Sequence, residues 1–79
     1  MAVEVGLESD LVNVVSSTRV PDATLYRVYS DENLTQMLYE GTARIFYDHG
    51  QKKGEIKTYY MTWADFYDEE SSPVSVTGL

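Results

Sequence analysis

The chain contains no cysteine, one histidine, two prolines and six basic residues against thirteen acidic ones. Without cysteine there are no disulfide staples, thiolate nucleophiles or thiolate metal ligands, so stability must come from packing or association. A lone histidine, His49, offers no histidine pair for a metal. No stretch approaches the roughly 18 apolar residues that cross a bilayer. The opening MAVEVGLESD carries acids where a secretory signal carries positive charge and then an apolar block. The expectation is a soluble, cytoplasmic protein without a membrane partner.

What is present is acid and aromatic side chains. At 79 residues the chain forms at most one small domain, 1–79, with 71–79 as a flexible tail or a last short strand. The runs 23–29, 42–48 and 56–62 supply its core, helped by seven tyrosines and a tryptophan. Tyrosine packs an apolar ring while its hydroxyl stays wet, which suits half-buried sheet positions or a protein contact surface. A formal charge of −7 repels nucleic-acid phosphate and anionic membrane and attracts basic protein surfaces. Direct nucleic-acid binding is therefore disfavoured. Solubility alone is the plainer use of such charge.

Val3, Val5 and Leu7 alternate as in a short edge strand. Leu11, Val12, Val14 and Val15 share one helical face behind Asp10, although their β-branching favours a strand; a short helix is the expectation. ATLYRVYS reads as an inner strand with bulky groups on both faces: Leu25, Arg27 and Tyr29 on one, Thr24, Tyr26 and Val28 on the other. Leu34, Met37 and Leu38 fall at helical spacing after Ser30 or Asp31 as cap, with Gly41 as the stop. The segment 42–62 reads as a β-hairpin around HGQKKG. In WADFYDEE, Thr62 and Asp65 have capping-box spacing, and Trp63, Phe66 and Tyr67 share a helical face. That predicts a short acidic helix, rings inward and carboxylates outward, ending near Pro73. The expected class is α+β: a small antiparallel sheet of three to four strands packed against two or three short helices.

No enzyme signature is present. Asp48 and His49 are sequence neighbours, and adjacent residues on an extended chain point apart, so they make no base-and-orienter pair. HGQKKGE lacks the glycine and lysine order of a phosphate loop, and DFYDEE lacks the glycine and alternating oxygen donors of a calcium loop. No catalytic residue, cofactor or metal is assigned.

Recognition remains. Outward carboxylates on a helix stand in for a row of phosphates, and a basic groove built for nucleic acid accepts them. The expected partner-binding acids are Glu40, Asp48, Asp65, Asp68, Glu69 and Glu70, with Tyr39, Tyr59 and Tyr67 as partly buried anchors. This makes the chain an acidic protein-binding module, an inhibitor occupying the nucleic-acid-binding surface of a basic protein. The alternative is a non-catalytic, self-associating subunit, in the simplest case a homodimer.

Overall fold

The computed structural model describes residues 1–9, 12–49 and 56–78. Seven strands follow one another: β1 Val3–Ser9, β2 Val12–Ser17, β3 Leu25–Tyr29, β4 Met37–Gly41, β5 Ile45–Asp48, β6 Lys57–Ala64 and β7 Val74–Gly78. They form a three-stranded sheet ordered β1-β2-β5 and a four-stranded sheet ordered β4-β3-β6-β7. Every pairing is antiparallel. No helix occurs among the described residues, so the α+β expectation is corrected to an all-β fold of two sheets.

The core lies between the sheets and is built by alternation. Val15 comes from β2, Tyr26 and Val28 from β3, and Tyr59 and Met61 from β6; all five are buried. Val3, Val5, Tyr39, Phe46 and Trp63 close around them, half-buried. Burying such side chains contributes about 1.5–3 kcal/mol each, the main drive for closing the sandwich. Polar bonds also cross the gap: Asn13 Nδ2 donates to the Tyr59 hydroxyl at 3.0 Å, and that hydroxyl donates to Asp48 Oδ2 at 2.6 Å. Lys57 Nζ joins the same carboxylate at 3.2 Å. At Gly78 the sheets approach closely, since a Cβ there would stand 2.7 Å from a Val5 methyl and 3.3 Å from the Asn13 amide nitrogen.

Each helix expectation fails for a local reason. In 12–17 the β-branched valines prevail, and period-two alternation buries Asn13 and Val15 while Val12, Val14 and Ser16 stay half-buried; Asp10 and Leu11, the cap and first residue of that expected helix, lie outside the described residues. In 31–36 the Asp31 carboxylate does accept from free amides, of Thr35 and Gln36, but these belong to a loop. Leu34 at φ 59° breaks the right-handed path, and Ser30 N–H closes the loop on the Gln36 carbonyl at 3.0 Å. Met37–Gly41 then returns along β3, with Glu40 opposite Arg27. The third helix is replaced by the end of β6 and a turn, described below. The hairpin expected over 42–62 is also corrected, because β5 pairs with β2 and β6 with β3 and β7. Most of its expected turn, 50–55, lies outside the described residues.

Candidate functional site

WADFYDEE forms the tip of the β6–β7 hairpin. Tyr59, Met61 and Trp63 alternate toward the core up to the end of β6, so the tryptophan is the last inward residue of a strand rather than the first of a helix. The Asp65 carboxylate then accepts from the Tyr67 and Glu69 amides, at 2.9 and 3.0 Å, and its carbonyl accepts from Asp68 N–H at 3.0 Å. This is an aspartate turn, the alternative use of a residue that also caps helices. Asp68, at φ 61°, takes the left-handed position that hairpin loops commonly require. Ser71 N–H bonds back to the Trp63 carbonyl at 2.8 Å, and Glu70 bridges Ala64.

The turn reverses the expected arrangement of rings and acids. Phe66 is 84% exposed and Tyr67 82% exposed, their rings edge to face with centroids 5.7 Å apart. With Trp63, Asp22 and Asp65 they line a groove of about 330 Å³. Two carboxylates of the segment fold back instead onto the outer face of the four-stranded sheet. There Arg27 stands between Glu40 on β4 and Thr62 on β6. Its Nε donates to Glu40 Oε2 at 2.7 Å, Nη2 donates to Asp68 Oδ1 at 2.9 Å, and Nη1 lies 3.6 Å from Glu70 Oε2.

Glu70 is tied most tightly. Its Oε2 accepts from the Tyr29 and Thr62 hydroxyls, each at 2.6 Å. Burial pushes this carboxyl up, but the bonds from Thr62 and Tyr29 and the charge of Arg27 outweigh it and hold it below the usual range. Burial, then the bond to Glu70, pushes the Tyr29 phenol up to about 12. The bond to Glu70 also explains how Thr62, fully buried, satisfies its hydroxyl.

The expected site residues are thus divided among three places. Glu40, Asp68 and Glu70 converge on Arg27. Asp48 and the buried Tyr59 belong to the polar link between the sheets, and Tyr39 packs beside Phe46 with ring centroids 5.7 Å apart. Asp65, Tyr67 and the exposed Glu69 remain at the hairpin tip. His49 is exposed next to Tyr47, while the neighbouring Asp48 carboxylate bonds to Tyr59 and Lys57. Phe66, Trp63 and Asp22 were missed as surface or groove residues. Continuing the alternation of Tyr59 and Met61 through Trp63 was the signal that puts Phe66 beyond the strand. No group of three or more metal-ligating side chains forms among the described residues. Comparisons with protein-family models, curated proteins and solved structures give no match.

Proposed function

We propose that the chain is a non-catalytic protein-binding module whose contact element is the β6–β7 hairpin tip. The observation that carries this reading is the pair of adjacent rings, Phe66 and Tyr67, more than four-fifths exposed on a turn cross-braced by its own hydrogen bonds. Each such ring can bury about 150–250 Å² on contact. A turn already held in place loses little conformational freedom on binding, so more of that burial reaches affinity. Asp22 and Asp65 line the groove with the rings, and the net charge of −7 steers a basic partner toward them, nucleic-acid-binding proteins included. Affinity is assigned to the rings and encounter to the charge, because exposed ion pairs contribute only about 0–1 kcal/mol each.

The test uses the purified chain as bait against cell extract, beside a Phe66→Ser/Tyr67→Ser variant and a Glu32→Lys control. A partner retained by wild type and control but lost by the folded double variant is the expected result. Retention by the double variant sinks the reading.

Self-association is a second reading, supported by exposed Met37 and Leu38 on edge strand β4 and exposed Ile45 and Tyr47 on edge strand β5. Light scattering across a concentration series separates it: a constant monomer mass removes it.

A further inference from the structure

A second groove, of about 280 Å³, opens beside the 20–23 turn and is lined by Arg19, Val20, Pro21, Ala23, Tyr26, Thr42 and Arg44. Its two arginines come from segments tied together, since Ser17 N–H donates to the Arg44 carbonyl at 3.0 Å. In a chain with thirteen acids, neither arginine forms an ion pair among the described residues, whereas Arg27 contacts three carboxylates. The Tyr26 hydroxyl accepts from Val20 N–H at 3.0 Å on a residue that lines the same groove, so its proton is left to donate into it.

We propose that this groove binds an oxyanion, a phosphate or a carboxylate, between the Arg19 and Arg44 guanidiniums, with the Tyr26 and Thr42 hydroxyls as further donors. Guanidinium forks match both anions in shape and charge, and charge-assisted bonds of this kind are about twice as strong as neutral ones. The net negative charge does not forbid it, because at physiological salt exposed charges beyond about 8 Å are largely screened. The inference is independent of the hairpin tip and uses none of its residues.

The test is an NMR titration of the full chain with inorganic phosphate and, separately, with succinate, each against sodium chloride of equal ionic strength. Saturable shifts at the Arg19 and Arg44 side-chain N–H signals and at Thr42 are expected with at least one anion, and the arm that saturates identifies its class. Arg19→Gln or Arg44→Gln should weaken that binding about tenfold or more, and Thr42→Val, which keeps the shape, severalfold. Shifts that do not saturate, that chloride reproduces, or that persist in a folded Arg19→Gln/Arg44→Gln variant overturn the proposal.

Discussion

Arg27 and the Arg19/Arg44 groove treat the same side chain in opposite ways. On the outer face of the four-stranded sheet, one guanidinium gathers Glu40, Asp68 and Glu70. In the groove, two guanidiniums gather no carboxylate among the described residues. Net charge therefore does not predict local charge. Of the acids that looked like a ridge for a cationic partner, Glu40, Asp68 and Glu70 converge on Arg27, while the hairpin tip exposes the Phe66 and Tyr67 rings. Strand register makes the difference, because pairing brings Glu40 and Thr62 to either side of Arg27.

The largest expected effect breaks the first of these regions. Arg27→Gln removes the cation shared by three carboxylates, of which Glu40 and Asp68 are exposed and Glu70 is partly buried, and should cost roughly 2 kcal/mol in urea unfolding. Arg27→Lys should recover only part of this, since an ammonium cannot reach three acceptors with the guanidinium's geometry. Gly78→Val should cost about 2 kcal/mol by forcing a side chain against Val5 and Asn13, a loss unrelated to charge that calibrates the first.

Glu70→Gln should cost about 1 kcal/mol at neutral pH and change the pH profile. Because the folded Glu70 carboxyl titrates below its unfolded range, its contribution is full above that range and is lost as pH falls through the folded value. Wild type should therefore lose stability on acidification more steeply than Glu70→Gln. Tyr29 works in the other direction: its phenol is raised to about 12, so its contribution is present below the ordinary tyrosine range and disappears as pH rises through the folded value. Tyr29→Phe should flatten that alkaline loss. The smallest effect belongs to the groove, where Arg44→Gln should alter unfolding by no more than about 0.5 kcal/mol. A large loss there would mean that the arginine is structural and would erase the contrast with Arg27.

Part of this was legible in the residues. Bulk on both faces of 25–29 marked an inner strand, and β3 lies between β4 and β6. Asp31 was marked as a residue that satisfies free amides, and it does so. Its loop was not legible, because the same carboxylate caps a helix or closes a turn, and the choice is made by Leu34 turning left-handed and by β4 finding β3. The spacing of Trp63, Phe66 and Tyr67 was ambiguous in the same way. Three rings at helical intervals also describe one inward strand residue followed by two at a turn. The Arg27 cluster could not be read locally, since Arg27 and Glu70 meet only through pairing across more than forty positions.

The most direct test of the account is residue-resolved carboxyl titration by NMR in wild type and in Arg27→Gln. The account predicts a Glu70 carboxyl below the ordinary glutamate range in wild type, moving upward when Arg27 is replaced, while the Phe66 and Tyr67 ring signals stay those of solvent-exposed groups. A Glu70 that titrates in the ordinary range in both proteins would contradict it, for Arg27, Tyr29 and Thr62 would then not gather this carboxylate and the hairpin would lack its tie to the outer face of the sheet.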